Sequence, residues 1–211
     1  MSLLKNAIDS IETGVEDYLH GSERRKVSAI RNVYAGVLLL FKEKLRRLSL
    51  TADYPEILIY SRIKPSLDEF GKVIFEPKSK SSTVSADDIK SLFKELKIGY
   101  DKDTFYKLQV LRNQIEHHYS SESPKVIEES LSKSFLLIRN FIREQLNEEP
   151  VDLLSDSCWQ TLIDLQHVHD AELNECLESR KKVDFKYKEL IEYISELACQ
   201  RYGSELVKSK A

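Results

Sequence analysis

The stretch SERRKVSAIRNVYAGVLLLFKEKLRRL, residues 22–48, decides the fold class of this chain. Its apolar residues recur every three to four positions, which is the period of an amphipathic helix. In the middle of the stretch they occupy more than one side, so the pattern predicts a helix at the centre of the core. These residues are Val27, Ile30, Val33, Tyr34, Val37, Leu38, Phe41 and Leu45. Ser22 is a suitable N-cap, and Glu23 lies favourably in the first turn.

Helical patterns extend to both sides of this stretch. A first helix is predicted over residues 2–20, and the short break at Gly21 indicates an antiparallel hairpin of the first two helices. Further helices are predicted from Ser85 to about residue 96, over residues 103–119, and over residues 124–147. The chain has only six glycines and five prolines, which suits long helices with few turns. The predicted fold class is therefore all-α, an antiparallel helical bundle.

Residues 51–84 depart from the helical pattern. They contain three of the five prolines and two short β-like runs, EILIY at residues 56–60 and KVIFE at residues 72–76. Such runs can pair as a small hairpin, so we interpret the segment as an insertion between helices.

A second block follows the sequence EEP. One helix is predicted over residues 153–179 and another from residue 190 to about residue 199. The expected organisation is a bundle over residues 1–149 and a helical C-terminal extension over residues 150–211.

Charge and hydropathy narrow the function classes. The formal net charge is −3, so nucleic acid is not attracted by the chain as a whole and could bind only at local basic patches. The longest apolar run, VYAGVLLLF, is too short to span a bilayer. Acidic residues follow the N-terminus at once, without a signal-peptide pattern. Three widely spaced cysteines, Cys158, Cys176 and Cys199, suggest reduced thiols, so we expect a cytoplasmic protein without membrane contact.

The stretch LRNQIEHHY, residues 111–119, carries an unusual density of polar groups for an amphipathic helix. Its apolar positions continue the face of Phe105 and Leu108 through Leu111 and Ile115. A helix that only packs does not require so many titrating and hydrogen-bonding side chains. The candidate functional residues are Arg112, Asn113, Glu116, His117, His118 and Tyr119.

The positions of these residues around the helix point to a homodimer. Successive residues turn by about 100°, so Arg112 and His117 are separated by about 140°. One straight helix can hardly direct both side chains at a single phosphate. Two copies that meet across a two-fold axis could supply both groups to a shared cleft. Glu116 lies one turn from Arg112, where it would either tune the site or pair with Arg112 and quench it.

Arginine and histidine are sufficient for RNA cleavage without a metal. A guanidinium binds phosphate through two parallel hydrogen bonds, and an imidazole exchanges protons near neutral pH. Asn113 could donate to a phosphate oxygen, and the nucleophile would be the 2′-hydroxyl of the RNA. The alternative is that Arg112 and Glu116 form a surface pair while His117 and His118 are solvated. No metal or cofactor site is expected, because Tyr202 stands where a zinc knuckle beginning at Cys199 would have its second thiolate.

The string RNQIEHHY resembles the R-x4-H-x-Y signature of HEPN domains, and residues 29–45 resemble the second helix of that family. The resemblance covers residues 3–146, with the insertion as a departure and nothing matched after residue 150. It implies a helical bundle that forms homodimers, and in many members a metal-independent endoribonuclease of toxin–antitoxin or phage-defence systems. By this resemblance Arg112 and His117 are the catalytic pair and Asn113 is their polar neighbour.

Two functions from different classes follow from the resemblance. The first is a ribonuclease toxin or defence effector with an RNA substrate, in which Glu116 and His118 support the site. In HepT-type toxins the tyrosine that matches Tyr119 is modified with AMP by a nucleotidyltransferase antitoxin, which would then be a partner of this protein. The second is a non-catalytic HEPN module that binds nucleotide or a partner protein.

Overall fold

The computed structural model describes residues 2–118 and 124–181 of the chain. In this part a mostly helical fold carries one small antiparallel hairpin, which confirms the predicted helical character and the hairpin within the insertion. The helices are α1 (Leu3–Leu19), α2 (Glu23–Leu48), α3 (Ala86–Glu95), α4 (Lys102–His118), α5 (Pro124–Phe141), α6 (Pro150–Leu153) and α7 (Asp156–Lys181). In these ranges no helix has both the length and the apolar composition needed to cross a bilayer.

Helices α1 and α2 form the predicted antiparallel hairpin and lie in close contact. Two glycines make this approach possible. A Cβ atom at Gly14 would lie 2.7 Å from Val33 Cγ2, and one at Gly36 would lie 2.5 Å from Ile11 Cγ1. Both distances are shorter than real Cβ contacts, so the interhelical spacing depends on these two positions.

Helix α2 is the central core helix, as its sequence predicts. The Phe41 ring lies 5.1 Å from the rings of Phe93, Tyr100 and Phe105 and 4.7 Å from that of Phe141, centroid to centroid. These aromatic rings come from α3, the loop after it, α4 and α5. One side chain of α2 thus joins most of the bundle, and tilted pairs of this kind add to the stabilisation from burial.

The prediction of the first strand in the insertion is wrong. Strand β1 is Ile63–Leu67 and pairs with β2, Val73–Pro77. The turn determines this register, because Asp68 Oδ1 accepts hydrogen bonds from the backbone N–H groups of Phe70 and Lys72. The run EILIY instead forms a 3-10 turn at Ile57–Ile59.

The C-terminal helix begins later than predicted. Helix α6 ends at Leu153, and α7 starts only at Asp156. The Ser155 backbone N–H between them donates to Glu12 Oε1 of α1 at 2.6 Å. Leu154, Cys158 and Leu162 are buried in the same core as α1 and α5. The division into domains at residue 150 stays a prediction, and the helix predicted over residues 190–199 lies outside the described residues.

A carboxylate at the end of α2 is buried between two arginines. Glu43 accepts hydrogen bonds from Arg46 and Arg47, with N···O distances of 2.7–2.9 Å, and its side chain is 1% exposed. Burial alone raises the pKa of the Glu43 carboxyl, but the hydrogen bonds and charges of the two arginines outweigh burial and hold the pKa below its usual range. Arg47 also donates to the Leu146 carbonyl oxygen at 2.8 Å, which connects α2 to the π-helical turn Ile142–Leu146 that follows α5.

Candidate functional site

Helix α4 carries Arg112, Asn113, Glu116, His117 and His118 on one continuous backbone. The helix is positioned by the predicted apolar face, whose four described members are all buried: Phe105, Leu108, Leu111 and Ile115. Because the helix is uninterrupted to His118, Arg112 and His117 keep their separation of about 140° around its axis. The side chains of His117 and His118, and the whole of Tyr119, lie outside the described part of the chain.

The Arg112 guanidinium has three neighbours. Its Nη1 atom lies 2.8 Å from Glu116 Oε2 and donates to Asn113 Oδ1 at 3.1 Å. Its Cζ atom lies 5.6 Å from the centroid of the Tyr34 ring on α2, within the range of a cation–π contact. The contact with Asn113 engages the amide oxygen of that residue and not its NH2 group. Arg112 therefore contacts Asn113, its neighbour in the sequence, and also pairs with Glu116.

Glu116 faces a second arginine. Arg31 Nε of α2 lies 3.8 Å from Glu116 Oε1, so each carboxylate oxygen is directed towards a guanidinium from a different helix. The side chains of Arg112 and Glu116 are 33% and 27% exposed. Ion pairs at this spacing on helix surfaces contribute about 0.3–0.5 kcal/mol. The pair between Arg112 and Glu116 is thus a modest contact on a partly exposed part of the helix.

The Tyr34 ring, which contacts Arg112, is itself held in position by packing in the core. Its ring lies almost parallel to that of Phe105, with a centroid distance of 5.8 Å and an interplanar angle of 13°. Burial raises the pKa of the Tyr34 hydroxyl, and the nearby Arg112 charge opposes that rise only in part. The hydroxyl is therefore neutral over the physiological range, and the ring acts as a fixed apolar support.

A lysine of α3 extends the polar surface by one turn of α4. Lys90 Nζ donates to Gln109 Oε1 at 2.7 Å and lies 3.1 Å from Asp87 Oδ1. Gln109 precedes Arg112 by three residues and so lies on a neighbouring part of the same face. Cationic groups from α2, α3 and α4 therefore border one seam of the bundle: Arg31, Lys90 and Arg112.

Sequence reasoning does not single out Arg31 or Tyr34 as site residues. The sequence indicates only that Arg31 and Tyr34 lie on one face of α2, because residues three apart share a face of a helix. That spacing does not say which helix the face contacts. Only the packing of α2 against α4 brings Arg31 to Glu116 and Tyr34 to Arg112.

A groove of about 250 Å³ lies between α4 and α5, away from Arg112. Its lining includes Leu108, Leu111, Gln114 and Val126. Gln114 is two residues from Arg112 and points about 160° away from it around the helix. This groove is therefore separate from the partly exposed side chains of Arg112, Asn113 and Glu116.

A metal site and a reactive thiol find no support in the described residues. Among them, no three His, Cys, Asp or Glu side chains are grouped as metal ligands. Cys158 is free and buried, and burial, with the charges of Glu12 and Glu16, raises the pKa of its thiol to about 12. A thiol of such high pKa is a poor nucleophile, so Cys158 is a core residue.

Comparisons with known proteins do not place the chain in a family. No family model, no curated protein and no solved structure gives a significant match. The resemblance to HEPN domains therefore rests on the residues of the motif and of the second helix.

Proposed function

We propose that this protein is a metal-independent endoribonuclease of the HEPN type, which acts in the cytoplasm as a toxin or phage-defence effector. One observation carries the proposal. Arg112 and Asn113 are in contact and partly exposed on the helix that also contains His117. A guanidinium that is partly exposed and supported on an aromatic ring keeps donors available for phosphate.

The proposed reaction uses the RNA as its own nucleophile. His117 accepts the proton of the 2′-hydroxyl, and the 2′ oxygen attacks the adjacent phosphorus. Arg112 offsets the charge that develops on the non-bridging oxygens. The bond between phosphorus and the 5′ oxygen then breaks, and a protonated His117 side chain supplies a proton to that oxygen. The products are a 2′,3′-cyclic phosphate and a 5′-hydroxyl.

A homodimer is part of the proposal. The separation of about 140° prevents Arg112 and His117 of one helix from approaching one phosphate from the same side. In a two-fold dimer, Arg112 of each copy can act with His117 of the other.

Bulk RNA in the presence of EDTA provides the test. We expect cleavage by the wild type and its loss in His117→Ala and Arg112→Ala. Arg143→Ala is the matched control, since Arg143 also forms an exposed pair, at 2.9 Å from Glu149. DNA should remain intact, because it lacks the 2′-hydroxyl. Products with 5′-phosphate ends, cleavage of DNA, or full activity of His117→Ala would each refute the mechanism.

A partner belongs to the proposal as well. Growth arrest on expression, relieved by Arg112→Ala, is expected of a toxin. A nucleotidyltransferase antitoxin that attaches AMP to Tyr119 should neutralise the wild type and fail on Tyr119→Phe, if that variant remains toxic. A non-toxic Tyr119→Phe, or one that the antitoxin still neutralises, would count against this partner.

The contact between Arg112 and Glu116 favours a second candidate, a non-catalytic HEPN module that binds nucleotide or a partner protein. In that case the arginine has a structural partner and need not meet a scissile phosphate. The two candidates are separated by the RNA assay together with binding of a fluorescent ATP analogue. Arg112-dependent nucleotide binding without any RNA cleavage would support the second candidate.

A further inference from the structure

We propose that Glu116 occupies the phosphate position of the site, and that substrate phosphate displaces it to bind Arg112 and Arg31 together. Glu116 is then a gate, meaning a carboxylate that holds the two guanidiniums in place until an anion replaces it. The inference rests on the proposed function for the nature of the anion, an RNA phosphodiester. It adds Arg31, which lies outside the motif, as a phosphate-binding residue.

The geometry around Glu116 is that of an occupied anion site. One carboxylate oxygen lies 2.8 Å from Arg112 Nη1, and the other lies 3.8 Å from Arg31 Nε. Two cations from different helices would repel each other without an anion between them. A phosphodiester presents two non-bridging oxygens that accept from guanidinium groups as a carboxylate does. Phosphate can therefore replace Glu116 without a rearrangement of the helices.

Partial exposure leaves the carboxylate a route to solvent. The Glu116 side chain is 27% exposed and that of Arg31 is 49% exposed, so each borders water. A partly exposed ion pair at the spacing of Arg112 and Glu116 favours the paired over the unpaired state only about twofold. Glu43 provides the contrast within the same chain, because it also contacts two arginines but is 1% exposed. A buried carboxylate is not released in this way, whereas Glu116 is.

Binding of an uncleavable RNA tests the gate. A fluorescent 2′-O-methyl RNA of twelve nucleotides has no free nucleophile, so its anisotropy at low salt reports affinity alone. We expect Glu116→Gln to bind it about fivefold more tightly, since the substitution removes both the competing pair and the repulsion of phosphate by the carboxylate. Glu116→Ala should show the same gain. Asp9→Asn is the matched control, because Asp9 pairs with Lys5 at 3.0 Å at the same helical spacing on α1.

Arg31 supplies the second arm of the experiment. Arg31→Gln should weaken binding of the probe, and it should remove most of the gain when combined with Glu116→Gln. Arg143→Gln is the control, since the Arg143 side chain has nearly the same exposure, 47%. Affinities of Glu116→Gln and Asp9→Asn that do not differ would overturn the proposal. A gain that remains complete in the double variant would overturn the role of Arg31.

Failure of the gate and failure of the ribonuclease give different results. If Glu116→Gln binds the probe more tightly but unmodified RNA is never cleaved, the proposed role of Glu116 is supported and the proposed ribonuclease activity is refuted. If RNA is cleaved but Glu116→Gln shows no gain, only the gate falls. If the wild type and the variants all fail to bind the probe, both proposals are refuted. Thermal unfolding checks that each of these proteins is folded.

Discussion

The Cζ atom of Arg112 lies 5.6 Å from the centroid of the Tyr34 ring, and the same ring packs almost parallel to Phe105 in the core. An aromatic residue of α2 thus supports one side of the guanidinium on α4, which also contacts Asn113 and Glu116. This relationship links the stability of the core to the geometry of the candidate site.

Replacement of Tyr34 separates its ring from its hydroxyl. Tyr34→Phe keeps the ring under Arg112 and should bind the 2′-O-methyl RNA like the wild type. Tyr34→Leu removes the cation–π contact, which is worth about 0.5–1 kcal/mol, and should weaken binding about two- to fivefold. Fluorescence anisotropy measures the effect, and thermal unfolding reports the separate loss of core packing. Equal affinity of Tyr34→Leu and wild type would show that the ring does not position Arg112.

Self-association is expected at micromolar concentration and can be measured by sedimentation velocity. Asn113 should lie near its symmetry mate if the two motifs face one cleft. In a background with Cys176→Ser and Cys199→Ser, Asn113→Cys should then form an interchain disulfide under mild oxidation. Asp9→Cys, on the side of the bundle near α6, should not. A monomer, or equal cross-linking of both variants, would contradict the shared cleft.

The pH dependence of cleavage should reveal the general base. A histidine with an ordinary pKa of about 6.5 loses its free electron pair as the pH falls through that value. Cleavage of RNA should therefore decrease on the acid side, with the fold intact by circular dichroism. A rate that stays constant from pH 8 to pH 5.5 would show that His117 is not the base.

Glu43 should contribute to stability against acid. Its pKa is lowered in the folded protein from the ordinary 4.5, so its stabilisation is complete above pH 4.5 and is lost as the pH falls through the lower, folded value. Glu43→Gln should reduce the free energy of unfolding at pH 7 by about 1.5–3 kcal/mol, because each arginine then keeps only a more exposed carboxylate partner, Glu56 or Glu148. Its stability should also depend less on pH in the acid range.

Urea unfolding between pH 3.5 and pH 7 measures both effects. Glu56→Gln is the control, since Glu56 lies 3.3 Å from Arg46 but its side chain is well exposed. That variant should lose no more than about 0.5 kcal/mol. An equal loss in the two variants would mean that burial of Glu43 does not matter.

A side chain at Gly36 should destabilise the packing of α1 against α2. In Gly36→Ala the new Cβ would lie 2.5 Å from Ile11 Cγ1 and 3.0 Å from the Ala7 carbonyl oxygen, so α1 and α2 must separate. We expect a loss of about 1–3 kcal/mol in the free energy of unfolding. Gly99→Ala is the control, because its nearest neighbour would be 3.9 Å away. Equal stabilities of the two variants in urea would contradict the close packing.

Local patterns in the sequence are sufficient to predict most helices of the described chain. The first two helices begin and end within a few residues of their predicted positions, because apolar periodicity and Gly21 act over one or two turns. Ser22 lies at the predicted N-cap position of α2, but its side chain makes no capping hydrogen bond. The β-hairpin shows where such reasoning fails. The run EILIY has strand-like composition, but the turn at Asp68 brings Ile63–Leu67, which comes after that run, into pairing with Val73–Pro77. Composition does not determine register, whereas turn geometry does.

By itself the sequence determined that α4 exists, that Phe105, Leu108, Leu111 and Ile115 face the core, and that Arg112 and Glu116 are neighbours one turn apart. These properties depend on the period of a single helix. Only the tertiary structure decided that Tyr34 supports Arg112 and that Arg31 faces Glu116 from another helix. Contacts between helices depend on how their surfaces pack, and no spacing within one helix contains that information.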